Sequence, residues 1–307
     1  MNFSKIQVLR TIKSSLFPSS IRGFSTSNKD ILISAKEAHD LFKAKKSVFI
    51  DTRDPAVFAE AHIPGARNIN EIFTYLSTSD EKGRKELVST FEKLFQKAGL
   101  NDNEHVITYE ECLKTRFGAS CRGYYLLKLL GHNNVNVMNG GWEAWLKEGY
   151  ATEKDVTPVQ EGTFKANWNG SIFAGQDDVL KAINQPNTVL LDVRDYDEWL
   201  AESSSPYGKD FTPRKGRIPG ATHLMWKDLM DTKDGVTLLK DPSQVEKLCA
   251  SKGITKDKEV IVYCFKGARA SNTFIALQRA GYNVKNYFAS WNEWSRNDTL
   301  PVDSSKI

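Results

Sequence analysis

Val260-Ile261-Val262-Tyr263-Cys264-Phe265-Lys266-Gly267-Ala268-Arg269-Ala270-Ser271 is the stretch from which the fold can be read. Three β-branched residues and a tyrosine predict a short buried strand. A six-residue loop from Cys264 to Arg269 follows, and Ala270 to Ala280 predicts a helix that stops at Gly281. A cysteine where a strand hands over to a helix meets loop N–H groups and the positive end of the helix dipole. Both favour thiolate, the nucleophilic form. Lys266 and Arg269 add two cations, so the site is expected to attract small anions and attack them.

Outward from this stretch the chain repeats itself. Val48-Phe49-Ile50-Asp51-Thr52-Arg53-Asp54 matches Val189-Leu190-Leu191-Asp192-Val193-Arg194-Asp195. Phe58 and Trp199 follow at the same distance. Ile63-Pro64-Gly65-Ala66 matches Ile218-Pro219-Gly220-Ala221, and Val106–Tyr109 matches Val260–Tyr263. Gly131 matches Gly281, and Trp142-Glu143-Ala144-Trp145 matches Trp291-Asn292-Glu293-Trp294. Kept order with drifting offsets is the mark of tandem duplication.

Each copy alternates short strands with helices, which predicts an α/β fold with a mostly parallel sheet flanked by helices. In the first copy strands are expected at Ile31–Ser34, Val48–Asp51, Val106–Tyr109 and Val135–Met138. Helices are expected at Ala35–Lys43 (Ser34 and Glu37 forming a capping box), Lys85–Ala98, Ala119–Leu130 and Trp142–Glu148. Ligands of such sheets bind beyond the carboxyl ends of the strands, where Cys264 lies. The domains are expected at 29–152 and 164–303, with polar 153–163 as linker. Asp51/Arg53 and Asp192/Arg194 are read as internal ion pairs, and the paired tryptophans as core. His62 is replaced by Arg217 in the second copy, which argues against a catalytic His62.

Cys264-Phe265-Lys266-Gly267-Ala268-Arg269 resembles the active loop of the rhodanese superfamily, and the repeat extends the resemblance over nearly the whole chain. The resemblance implies two tandem rhodanese-like domains and a persulfide carried on Cys264, with Phe265, Lys266, Gly267, Ala268 and Arg269 around the substrate. Arg194, Arg214 and Arg217 are candidates for secondary anion contacts. The first copy has Glu110 and Glu111 where the second has Cys264 and Phe265. Two carboxylates there are expected to repel an anion, and Cys112 lies outside the cradle. An inactive first domain and an active second one are similar to tandem sulfurtransferases. The insertion Leu200–Gly216 carries Lys209, Arg214 and Lys215; it is read either as part of the anion field or as a solvated surface loop.

Rhodanese-related phosphatases use a Cys-x5-Arg loop, whereas this loop is Cys-x4-Arg with no aspartate evident near Cys264 for a leaving alcohol. Sulfur transfer is therefore expected. A basic residue at Lys266 resembles thiosulfate enzymes rather than the Cys-Gly-Ser-Gly loops of 3-mercaptopyruvate enzymes; Phe265 departs from the arginine common in the former. The implied partners are thiosulfate and a thiol acceptor such as glutathione or a dithiol protein, or cyanide. No metal or organic cofactor is implied. A non-enzymatic persulfide-binding or redox-sensing module is the alternative.

Composition bounds the rest. At 40% hydrophobic and 26% charged, the 307 residues are of globular type and sufficient for two domains. No apolar run reaches membrane-spanning length. Four sparse cysteines argue against a disulfide scaffold or a metal knot. The net charge of +4 resides entirely in Lys5, Arg10, Lys13 and Arg22, so the body offers no basic surplus for nucleic acid. Residues 1–24 are acid-free, with Phe3, Ile6, Leu9 and Ile12 at helical spacing, and are read as a mitochondrial transit peptide cleaved after Phe24. The expected compartment is the mitochondrial matrix; Ser305-Lys306-Ile307 is a weaker peroxisome-like address.

Overall fold

A computed structural model describes residues 30–113 and 116–306. The leader read at 1–24 and the last residue of Ser305-Lys306-Ile307 lie outside the described residues.

The first domain contains β1 (Leu32–Ile33), β2 (Ser47–Asp51), β3 (Arg67–Asn68), β4 (His105–Tyr109) and β5 (Val135–Met138). These form one parallel sheet in the order β1-β5-β4-β2-β3. The second contains β6 (Thr188–Asp192), β7 (Thr222–His223), β8 (Met230–Lys233), β9 (Val236–Leu239), β10 (Glu259–Tyr263) and β11 (Asn283–Asn286). Its sheet runs β11-β10-β6-β7, also parallel, with β8 and β9 apart as an antiparallel hairpin. The duplicated order is thus duplicated in space, with β10 matching β4 at the centre. Phe173 adds a parallel bridge to Asn286, where β1 lies beside β5 in the first domain.

Local chemistry explains most boundaries. Ser34 and Glu37 form the expected capping box at the helix Ala35–Lys43. The helix expected from Lys85 begins earlier, at Glu81, because Asp80 accepts from Gly83 N–H at 2.9 Å and caps it. The β8–β9 hairpin turns at Asp234-Gly235, both at positive φ, which suits the right-handed twist of its strands. Lys147 donates to the Asp234 carbonyl and Leu239 N–H donates to Asn139, so the hairpin clasps the first domain.

The helices Ala119–Leu129 and Ala268–Arg279 are buried nearly all round. Each covers its own sheet and packs against the other, and this is why one hydrophobic cluster runs through both domains. Tyr125 sits between Phe274 and Phe288 at the centre of that contact. The other sheet faces have separate cores, one around Trp145 and one around Trp291 and Trp294. Glu153 pairs backbone to backbone with His62, and Phe164, Asn167 and Asn169 donate to Leu100, Leu130 and Leu129. The chain is therefore strapped to the first domain through Asn169, beyond the linker expected to end at 163. Among the described residues no helix is long and apolar enough to cross a membrane.

Candidate functional site

The second-domain site begins where β10 ends. Trp291 and Asn292 N–H groups bond the Cys264 and Phe265 carbonyls, which fixes the chain as it leaves the sheet. Ser290 Oγ lies 3.1 Å from Cys264 N, and Ser290 donates onward to the Tyr287 carbonyl. The loop then turns sharply at Gly267, with φ +90°, and the helix starts at Ala268. A Cβ at Gly267 would lie 2.6 Å from the Phe288 carbonyl oxygen, so this turn needs glycine both for conformation and for room. In return Gly267 N–H points inward and donates to Cys264 Sγ at 3.1 Å. Cys264 is 1% exposed, at the bottom of the ring.

Lys266 is buried in the same loop. Its Nζ lies 4.0 Å from the Phe73 ring centre and 4.8 Å from that of Tyr207. Phe73 comes from the first domain and Tyr207 from the insertion, so three parts of the chain meet at the Lys266 ammonium. Among the described residues no carboxylate pairs with Lys266. Burial, aided by repulsion from Arg122, lowers the ammonium to about 7, while Cys264 pulls it upward. Arg122 and Arg116, both from the first domain, bring further positive charge to this region.

Arg269 is placed differently from expectation. It is fully buried and grips Glu198 with both terminal nitrogens, Nη2 to Oε1 at 3.0 Å, while Nη1 also reaches Asp195 at 3.2 Å. Burial opposes its charge, but these carboxylates more than offset that and raise it above the ordinary arginine range. Asp195 thus comes close to the loop, which sequence reading missed. Burial pushes its carboxyl up, yet Arg269 and Lys227 outweigh burial and hold it below the usual range, so it is no proton donor near neutrality.

Phe265 also turns away. Its side chain is buried in the second-domain core under Tyr207 and Phe211, at ring distances of 5.5 and 5.7 Å. It anchors the insertion, and only its backbone belongs to the ring. Of the two expectations for the insertion, the surface loop is the nearer, since much of it is exposed, but it is well ordered. Ser203, Ser204 and Ser205 knit it together by hydrogen bonds, Lys215 pairs with Asp210, and the whole presents Tyr207 to Lys266.

A family model of the Rhodanese-like domain matches residues 34–148 and again 175–297. The chain belongs to the rhodanese family. It is 32% identical over 288 residues to a protein named putative thiosulfate sulfurtransferase of Haloferax volcanii, spanning 90% of this chain and 96% of that one. It is 26% identical to the thiosulfate sulfurtransferase of Azotobacter vinelandii, over 89% and 97% of the two chains. Among solved structures, the 3-mercaptopyruvate sulfotransferase SseA of Escherichia coli superposes with a TM-score of 0.71 at 25% identity, over 86% of this chain and 99% of that one.

Within this rhodanese the three arginines expected as secondary anion contacts are structural. Arg194 is fully buried on Asp192 (2.6 Å) and the Gly216 carbonyl, stacked on Trp291. Arg53 repeats this in the first domain with Asp51 (2.7 Å), the Ala61 carbonyl and Trp142. Arg214 donates to the carbonyls of Trp294, Ser295, Asn297 and Leu300, tying down the last helix. Arg217 stacks on Trp199 and pairs with Asp303 and Ser305. Its counterpart His62 stacks on Phe58 and bonds the Phe58 carbonyl, a core role.

The first domain answers Cys264 with an acid. Glu110 does not face an open cradle and repel from it; it fills the cradle. Its carboxylate accepts from Ala119 N–H (3.1 Å), Ser120 N–H (3.3 Å) and Ser120 Oγ (2.9 Å) at the start of the helix. Burial nonetheless pushes Glu110 up to about 7. Glu111 points elsewhere and pairs with Arg53 at 3.4 Å.

Proposed function

We propose that this rhodanese is a thiosulfate sulfurtransferase whose second domain does the chemistry and whose first domain, its cradle filled by Glu110, closes the site. The observation that carries the reading is the Gly267 N–H on Cys264 Sγ together with a Lys266 ammonium that interacts electrostatically with Cys264 and that no carboxylate among the described residues neutralises. A dianionic donor needs such unneutralised charge, and Arg269, already held by Glu198, does not offer it.

The Cys264 thiolate attacks the outer sulfur of thiosulfate. A new S–S bond forms, the sulfur–sulfur bond of the donor breaks, and its electron pair leaves with sulfite. Lys266 stabilises donor and leaving group, and Gly267 N–H faces the sulfur that remains. A thiolate acceptor, such as glutathione or a dithiol protein, or cyanide, then takes the outer sulfur and returns Cys264 as thiolate. Two half-reactions joined by a covalent intermediate predict ping-pong kinetics. 3-Mercaptopyruvate is the second candidate donor, supported by the absence of an arginine side chain at Phe265. Residues 1–24 we read as a leader to the mitochondrial matrix, testable by import with loss of the leader.

Intact mass after incubation with thiosulfate, and separately with mercaptopyruvate, tests the reading. A gain of one sulfur that vanishes in Cys264→Ser is the expected result. Greater loading by mercaptopyruvate would transfer the assignment to that donor. No gain from either would leave the persulfide-binding or sensing role as the better account.

A further inference from the structure

Arg122 is the least expected charge in the molecule. It lies on the first-domain helix Ala119–Leu129, is fully buried, and has no carboxylate partner among the described residues. Its terminal nitrogens donate to the carbonyls of Phe73 and Tyr75, both at 2.8 Å, while its Nε has no partner. A buried cation without a counter-charge opposes folding, so its position calls for a reason.

Two chains of contact lead from it to the loop of the other domain, one ending on the sulfur and one on Lys266. The guanidinium lies over the Phe288 ring at 4.5 Å, and Phe288 closes on Gly267, whose N–H bonds Cys264 Sγ. The same guanidinium clamps the carbonyl of Phe73, whose ring lies beneath Lys266 Nζ. The acidic groups that bear on Arg122 are the Cys264 thiol and the hydroxyls of Tyr207 and Tyr75; Lys266 faces it as a like charge. Burial lowers Arg122 to about 10, which still leaves it charged at neutral pH.

We propose that Arg122 is a positioning residue supplied by the first domain to the second: it sets Phe73 under Lys266 and gives the Cys264 site a positive charge that no carboxylate among the described residues cancels. The domain without the nucleophile thereby contributes to the electrostatics of the domain that has it. This rests on Cys264 being the reactive sulfur, which the control below tests separately.

The experiment compares alkylation of Cys264 by anionic iodoacetate and by neutral iodoacetamide, without any sulfur donor. Arg122→Met should lower the iodoacetate-to-iodoacetamide rate ratio roughly tenfold, the equivalent of about one pKa unit of lost charge interaction. Arg122→Lys, which keeps the charge, should restore the ratio to within about twofold of wild type. A merely structural role would slow both reagents alike, and an unchanged ratio in Arg122→Met overturns the proposal. If the methionine variant does not fold, the lysine variant decides: a ratio that drops as far as tenfold, or a lysine variant that also fails to fold, overturns it. Wild-type labelling that persists in Cys264→Ser would sink the underlying assignment of the nucleophile instead.

Discussion

Glu198 holds Arg269 from two sides, Nη1 to Oε2 at 2.5 Å and Nη2 to Oε1 at 3.0 Å, in the interior of the second domain. The last residue of the Cys-x4-Arg loop is therefore a bolt that fastens loop to domain, and its charge is already answered. Removing the acid leaves a buried guanidinium with Asp195 alone. Glu198→Ala should cost about 3–5 kcal/mol of stability, the usual penalty for breaking a buried pair. Urea unfolding reads this; a loss below about 1 kcal/mol would show that the pair is not what holds the loop.

Lys266 should give donor use its pH dependence. Its conjugate acid titrates near 7, depressed by burial and by Arg122, so the ammonium is present below that pH and fades above it. With thiosulfate, kcat/KM should fall as pH rises through about 7, and Lys266→Arg, whose guanidinium stays charged, should abolish the fall. Lys266→Ala should weaken thiosulfate use more than mercaptopyruvate use. Equal losses on both donors, or an unchanged profile in the arginine variant, would remove Lys266 from donor recognition.

Glu110 predicts a pH effect on stability. Its pKa rises from 4.5 to about 7 on folding because burial disfavours the carboxylate. Between those values the native state binds the proton more tightly than the unfolded chain, so this contribution is full at low pH and is lost as pH rises through about 7. Glu110→Gln should be free of that loss. The wild-type advantage over the variant should shrink from pH 5 to pH 8 in denaturant titrations, and an advantage that grows over this range would reverse the assignment.

Gly267 and Gly65 separate conformation from space. Both have positive φ, but a Cβ at Gly65 meets nothing within 4 Å, whereas at Gly267 it meets the Phe288 carbonyl and ring at 2.6 and 2.7 Å. Gly65→Ala should cost about 1–2 kcal/mol of backbone strain alone. Gly267→Ala should cost more and also slow alkylation of Cys264, since the N–H that reaches Sγ must move. Equal stability losses with unaltered alkylation would mean that the loop relaxes freely.

Much of the architecture could be read from short segments. Hydrophobic runs flanked by turn residues revealed β2, β4, β6 and β10, and the Asp-x-Arg and Ile-Pro-Gly-Ala repeats revealed the duplication, because each signal spans a few neighbouring residues. The short helices Pro55–Glu60 and Glu71–Thr74 and the β8–β9 hairpin were missed. In the hairpin, Met230-Asp231-Thr232-Lys233 is too polar for a buried strand, and only the Asp234-Gly235 turn could have revealed it.

The site divides in the same way. Cys264, Lys266 and the strand-loop-helix that carries them follow from twelve consecutive residues, since local backbone geometry places the sulfur at the head of the helix. Which charge stays available does not follow locally. Arg269 is bound by Glu198, 71 positions away, and Lys266, with its Nζ over the rings of Phe73 and Tyr207, has no carboxylate partner among the described residues. Arg122 reaches the site from the other domain through Phe288 and Phe73. Charge compensation inside a protein depends on which groups share a desolvated volume, and packing two helices from different domains against each other is what defines that volume.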